Sequence, residues 1–379
     1  MIYSIPYLVL LCFYGVMALW YYTERAKNTH VINILACFLI TLFFWGLRGF
    51  CFYDWVSYYP MYLHLDTSNL LSNFSDMEPG FCLLMTICKL IWNNYVFFTF
   101  TCSLLNLLLL SIFLLKHVDN YPQGLAFCTV FGCFLLFTDL MRNALAIFIF
   151  INSLDYLRDR KAVKYFSLVI LSITFHYSAV LYIPLYFFAN KKTSKYTFAT
   201  IFFIGVIIYV LKISIFANIA SLILGNVNEY MEERVHVYLE ESLSKSPGIN
   251  IVFIEQMITG VLTLCYMDKL RSLRRDANIY INCILIFFSM SFFLHEFVTL
   301  SGRLALLFSV GYWIIWSDLL KCISIRNNRR CFLIFICMYC FLRILGHTRN
   351  PMALYENVML EHESFQQREL LFNLNFHGN

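Results

Sequence analysis

The chain has 379 residues, 60% hydrophobic and 13% charged, with a formal net charge of +5. Apolar runs of about 20 residues, the length that spans a bilayer, recur from end to end. They exclude a soluble globular domain, and with no alternating ten-residue strands they exclude an outer-membrane barrel too. The positive balance sits in short loops between apolar runs, so it reports orientation and not affinity for nucleic acid.

The expected fold class is all-α: a polytopic helical membrane protein in a single integral membrane domain over 1–379, with about ten full spans plus two short or re-entrant helices. The spans fall near 3–22, 31–47, 95–115, 121–138, 140–158, 197–220, 250–267, 279–298, 302–320 and 331–346. The first lacks a basic n-region and a small-residue cleavage site, and is read as a retained span. Basic loops at Arg25/Lys27, 116–121, 158–164, 191–195, 269–275 and 321–330 hold 18 of the 28 Lys and Arg residues. The positive-inside rule makes those loops cytoplasmic. The N-terminus, an external loop with a short helix over 48–94, a loop over 221–249 and the segment 347–379 then lie outside. Within the 221–249 loop, 226–248 has an amphipathic helical look that Pro247-Gly248 ends.

Two apolar stretches do not fit a simple weave. Segment 79–92 begins and ends outside and reads as a short re-entrant or surface helix. Segment 165–188 runs between two loops that both belong inside. It is either one straight span that breaks the charge rule or a hairpin of two half-length helices with His176 at its tip. The hairpin is preferred, because irregular backbone at membrane depth is tolerated where it lines a cavity.

Most of the 14 cysteines lie inside apolar runs, where Cys acts as a small hydrophobe. Cys337 and Cys340 spell C-x-x-C without a second ligand pair. Cys51 and Cys82, both placed outside, are candidates for a disulfide if the geometry allows.

On this topology Arg48, Asp54, Asp76, Glu78, Asp139, Arg142, Glu296, Arg303, Arg343 and Arg349 gather at the outer face, with His176 below them. Ionisable groups at membrane depth mark a pathway or a reaction site by default. Arg142 follows Asp139 by three residues at a tight turn, so substrate contact competes there with a structural ion pair. His176 is a base candidate or a satisfied core histidine, and Arg303 is a site residue or an interfacial anchor. Lys212 and Glu255 face one another at comparable depth and read as a buried structural pair. Arginines with a histidine at an outer leaflet suit a phosphate or pyrophosphate and a sugar hydroxyl. Tyr53, Trp55, Tyr58, Tyr59 and Tyr62 suit stacking on sugar rings, although interfacial belts have the same composition. With no Gly-rich phosphate loop, HExxH or D-x-D motif, metal-independent chemistry without a cofactor is expected.

These residues resemble the EpsG-like branch of the Wzy-type polysaccharide polymerases over most of the chain. Arg48, Asp54 and Tyr58 are similar to that family's first external motif, and Glu78-Pro-Gly-Phe81 to its Glu-x-Gly-aromatic motif. Met141-Arg142-Asn143-Ala144-Leu145-Ala146 resembles its Arg-centred turn, followed in order by Asp155-Tyr156-Leu157 and Phe175-His176-Tyr177-Ser178-Ala179. Arg303 and Tyr355 fit more loosely. The departures are Phe52, where a glycine is usual, and Asn143, where glutamine is common.

The resemblance implies a GT-C-like enzyme in the bacterial cytoplasmic membrane, its site facing the periplasm or cell exterior. It would transfer a growing glycan from undecaprenyl pyrophosphate to the terminal sugar hydroxyl of the next lipid-linked repeat unit. Expected partners are those lipid-linked glycans, membrane lipid and a chain-length regulator. On this reading Arg142 and Arg303 hold the pyrophosphate and His176 serves the acceptor hydroxyl, with an aspartate as the other candidate base. Arg48, Asp54, Tyr58, Glu78, Asp139 and Tyr355 bind sugar or shape the external loop. O-antigen ligation, the same chemistry with a lipid A core acceptor, and lipid-linked oligosaccharide flipping are the alternatives.

Overall fold

The computed structural model describes residues 2–23, 27–68, 77–213, 248–360 and 362–376. Arg25, Asp76, residues 214–220 of the span expected at 197–220 and nearly all of the loop expected at 221–249, with its amphipathic 226–248 stretch, lie outside the described residues. The described chain is helical, without a strand, and its one isolated bridge joins Arg48 to Asn357. This is a polytopic helical membrane protein.

The helices group into two compact units, Met1–Tyr186 with Phe335–Asn379, and Phe187–Ile334. The first unit opens with α1 (Ile5–Thr23), α2 (Lys27–Gly46), α3 (Trp55–His64), α4 (Pro79–Ile91) and α5 (Tyr95–His117). It continues with α6 (Tyr121–Cys128), α7 (Phe134–Thr138), α8 (Met141–Ile151), α9 (Leu154–Arg158), α10 (Ala162–Phe175) and the first half of α11 (Leu185–Phe188), whose last two residues belong to the second unit. The second unit carries α12 (Lys195–Val210), α13 (Ile251–Leu273), α14 (Ala277–Phe293), α15 (Val298–Leu306), α16 (Val310–Cys322) and the start of α17 (Arg326–His347). The rest of α17 and α18 (Phe365–Phe376) belong to the first unit.

Among the described residues six helices are long and apolar enough to cross a membrane, or seven if α15 and α16 count as one span bent by 62°. Ten were expected: the runs at 140–158 and 302–320 are broken, 279–298 forms a helix of 17 residues, and 197–220 extends beyond the described residues. The run 140–158 stops at Ile151, where Asn152 turns its side-chain amide onto the Leu109 and Phe148 carbonyls and Ser153 bonds the Phe150 carbonyl. Local side-chain bonds of this kind compete with the helical ladder. The run 121–138 keeps its length but carries a π segment at Thr129–Cys133, with Gly132 at φ 132. A side chain would strain that left-handed backbone.

Segment 165–188 is the hairpin. α10 ends at Phe175, a 3₁₀ helix follows over Tyr177–Tyr182, and the chain returns alongside α10. Tyr165 donates to the Tyr182 carbonyl at 2.6 Å, and Tyr186 donates to the Arg160 carbonyl at 3.0 Å. Segment 79–92 forms the short helix α4.

Two pairings do not form. Cys51 and Cys82 are buried free cysteines. Lys212 is exposed, while Glu255 is buried and accepts from Thr259 at 2.5 Å and Tyr312 at 3.4 Å. Lys212 lies past the end of α12, on a backbone turned to φ 52, and Glu255 is already taken by two hydroxyl donors.

Candidate active site

Three helix ends in the first unit build one ionic cluster. Glu78 takes the N-cap position of α4 in an extended conformation, and Pro79 follows at the first helical position, where its missing N–H costs nothing. Gly80 then lets α4 approach the last turn of α10. A Cβ there would stand 2.5 Å from Thr174 Oγ1 and 2.9 Å from its carbonyl oxygen. Two residues beyond Thr174, His176 leaves the helix at φ −159, ψ 125, its amide still bonded to the Ser172 carbonyl at 3.1 Å.

The close approach brings Glu78 Oε1 within 2.7 Å of His176 Nδ1 and within 3.4 Å of the Tyr177 amide. Arg142, in the first turn of α8, donates from Nη1 to Glu78 Oε2 at 2.8 Å and from Nε to the Tyr58 hydroxyl at 3.0 Å. Its guanidinium carbon lies 5.6 Å from the centre of the Tyr58 ring. Asn143 accepts from Ser178 at 3.2 Å, and Ser172 donates to the Ala146 carbonyl, so the hairpin tip is pinned to α8.

The Glu78 side chain is 4% exposed, against 25% for His176 and 30% for Arg142. Burial pushes the Glu78 carboxyl up, but the His176 hydrogen bond, a backbone amide and Arg142 together outweigh it and hold it down to about 2. Glu78 is therefore an anion at neutral pH, and a carboxylate can only accept. In the neutral imidazole it places the proton on His176 Nδ1 and the lone pair on Nε2. His176 Nε2 and Arg142 Nη2 make no hydrogen bond to a described residue. The cluster thus presents an oriented base and an unsatisfied guanidinium edge.

A family model for the EpsG family matches residues 31–357. The chain belongs to the EpsG family. EpsG membership goes with a membrane glycan polymerase-like function. No curated protein and no solved structure matches the chain.

The structure gives the EpsG-type motifs physical content. Phe52, the departure from the usual glycine, stands at φ 66, a backbone region that favours glycine. Its ring is buried 5.1 Å from Phe134 and 6.0 Å from Tyr7, and its amide bonds the Met352 carbonyl at 2.8 Å. Aromatic packing here offsets a strained turn.

Of the remaining expected site residues, Asp139 accepts from the Tyr53 amide at 2.8 Å and the Asp54 amide at 3.1 Å. It braces the first external loop, while Arg142 pairs with Glu78 instead of Asp139. The Asp54 carbonyl accepts from the amides of Ser57 and Tyr58, which starts α3 and delivers the Tyr58 hydroxyl to Arg142. Tyr355 stacks on Phe44 at 4.1 Å and donates to its carbonyl at 2.9 Å, which ties the C-terminal segment to α2. Arg48 lies outside the cluster, buried, and donates only to neutral acceptors. Arg303 is exposed on α15 of the second unit. Among the described residues no group of three His, Cys, Asp or Glu side chains is placed to hold a metal ion.

The Glu78–His176 bond was not visible from sequence, where Glu78 counted as a sugar or loop residue. Its signal was the glycine two residues on, since a helix that opens Glu-Pro-Gly is built for a close neighbour.

Proposed function

We propose that the chain is a glycosyltransferase that extends a polysaccharide at the outer face of the bacterial cytoplasmic membrane. It takes a growing glycan from undecaprenyl pyrophosphate and adds it to the terminal sugar hydroxyl of the next lipid-linked repeat unit. The observation that carries this reading is His176, whose Nδ1 is held by a buried carboxylate and whose Nε2 meets no described residue, beside the partly exposed Arg142.

In the transfer, His176 Nε2 takes the proton of the acceptor hydroxyl as its oxygen attacks the anomeric carbon. The bond from that carbon to the pyrophosphate oxygen breaks, and the electron pair leaves on undecaprenyl pyrophosphate. Arg142 Nη2 meets the charge that develops there, an interaction stronger in the transition state than before it. Glu78 stabilises the imidazolium that forms. On this reading the product is O-antigen.

A gel of surface and lipid-linked glycans tests the proposal in a deletion strain complemented with wild type, His176→Ala or Arg142→Ala. Lipid A core capped with a single repeat, with the variant protein still in the membrane, is the expected result. Uncapped core with long polymer left on its carrier would mean ligation instead, and a normal ladder would refute the enzyme reading.

A further inference from the structure

A cavity of about 400 Å³ lies wholly within the first unit, lined in part by Met141, the neighbour of Arg142. Trp55, Tyr59, Tyr95 and Phe365 share its wall and brace one another. Tyr59 stacks on Phe365 at 4.5 Å, Trp55 meets Phe365 edge-on at 5.4 Å, and Tyr95 meets Tyr59 edge-on at 5.2 Å. A volume of this size, mostly apolar with a few convergent polar groups, is what a small-molecule site offers.

Arg48 lies in the same wall and is 7% exposed. It donates from Nη1 to the Trp45 carbonyl at 2.7 Å and to Ser103 Oγ at 3.2 Å, and from Nη2 to the Thr138 carbonyl at 3.4 Å. All three acceptors are neutral, and no carboxylate among the described residues pairs with it. Glu363 also lines the cavity, but it is paired with Arg368 at 3.1 Å. A guanidinium cannot shed its proton, so Arg48 is a buried cation without a counter-charge, and Nε and one Nη2 hydrogen remain unused. Such a group is stabilised by an anion.

We propose that this cavity is a subsite for an anionic sugar residue. The C–H face of a pyranose lies on the aromatic wall, whose ring faces carry negative charge density, and a carboxylate or phosphate oxygen on that sugar meets the unused edge of Arg48. The inference rests on the glycan reading above and adds the kind of sugar that the substrate contains.

Saturation-transfer NMR on the full chain in detergent tests it with glucuronate, glucose 1-phosphate and glucose as probes and inorganic phosphate as an added competitor. One of the two anionic sugars should bind about tenfold more tightly than glucose, as hydrogen bonds to a charged group allow. Inorganic phosphate should displace the sugar only weakly, and whichever anionic sugar binds better identifies carboxylate or phosphate as the recognised group. Tyr59→Ala should lower that affinity about tenfold with little change in unfolding temperature, and Arg48→Gln should erase the preference over glucose. If Arg48→Gln fails to fold, the wild-type comparison and Tyr59→Ala still decide. Equal binding of glucose and the anionic sugars, binding unmoved by Tyr59→Ala, or no sugar bound overturns the subsite.

The measurement needs no turnover. Loss of polymer in His176→Ala without sugar binding by wild type refutes the subsite alone, whereas selective binding with a normal His176→Ala ladder refutes the polymerase reading.

Discussion

Replacing Glu78 with Gln removes one charge while keeping the shape of the side chain, and it separates the cluster's chemistry from its packing. Against burial, the His176 hydrogen bond, a backbone amide and Arg142 hold the carboxyl down to about 2 from an ordinary 4.5, which corresponds to roughly 3 kcal/mol of preferential interaction with the ionised form. A glutamine has a single acceptor oxygen, its other terminal atom being a donor nitrogen. It leaves either Arg142 or the His176 Nδ1 proton without its acceptor, and Nε2 loses its fixed lone pair. Substituting the orienting carboxylate of a comparable histidine dyad costs about 10⁴ in turnover. The glycan ladder of a complemented deletion strain should therefore collapse to single repeats at unchanged protein level.

Linkage supplies a second readout. Because the folded value is depressed, the contribution of Glu78 to stability is fully present above about pH 4.5 and fades as pH falls toward about 2. Wild type should lose unfolding temperature on acidification from pH 5 to pH 3 more steeply than Glu78→Gln. Parallel acid profiles with a normal ladder would refute the argument that Glu78 holds the cluster.

Gly80→Ala should nearly abolish polymer, because a methyl group 2.5 Å from Thr174 Oγ1 parts α4 from α10 and stretches the Glu78–His176 bond; unchanged activity in the glycan gel would contradict the close approach. Tyr58→Phe removes the acceptor of Arg142 Nε without touching Glu78, so it should reduce chain extension by about tenfold, the scale of one hydrogen bond to a charged group, in a timed in vitro extension assay. Phe52→Gly relieves a left-handed turn worth about 1–2 kcal/mol but deletes a buried ring worth about 3–5 kcal/mol. The variant should unfold more readily than wild type, by roughly 2–3 kcal/mol in denaturant titrations.

Fold class was legible because bilayer length and charge bias act on whole segments. The hairpin at 165–188 was legible for the same reason, since two basic flanks and 24 apolar residues leave few solutions. Span count was less so: Asn152 marks a helix end through one side-chain bond pattern, and a hydropathy run averages it away. In the site, the residue types and their order were readable, but their pairing was not. Asp139 lies three residues from Arg142 and looked like its partner, yet the pair is made by Glu78, 64 residues away, because Asp139 is occupied by the amides of Tyr53 and Asp54.

The cluster also explains why so many apolar helices of this chain stop short. Glu78, Arg142 and His176 stand respectively before the first turn of α4, in the first turn of α8 and just past the last turn of α10. Each therefore lies where the helical ladder leaves backbone groups unpaired and the chain changes direction. A full-length span would carry such a side chain into hydrocarbon or leave it exposed at the surface. Helices of 11, 13 and 14 residues end part-way and let three termini converge behind one carboxylate. The broken weave that defeats span counting is thus the same feature that gives the imidazole and the guanidinium a half-exposed, preorganised place to work. Lengthening α8 by replacing Asn152 and Ser153 with leucine should stabilise the helix and still lower polymer output, because it competes with the bonds that end it at Ile151. Full activity in that variant would mean that the break is incidental to the site.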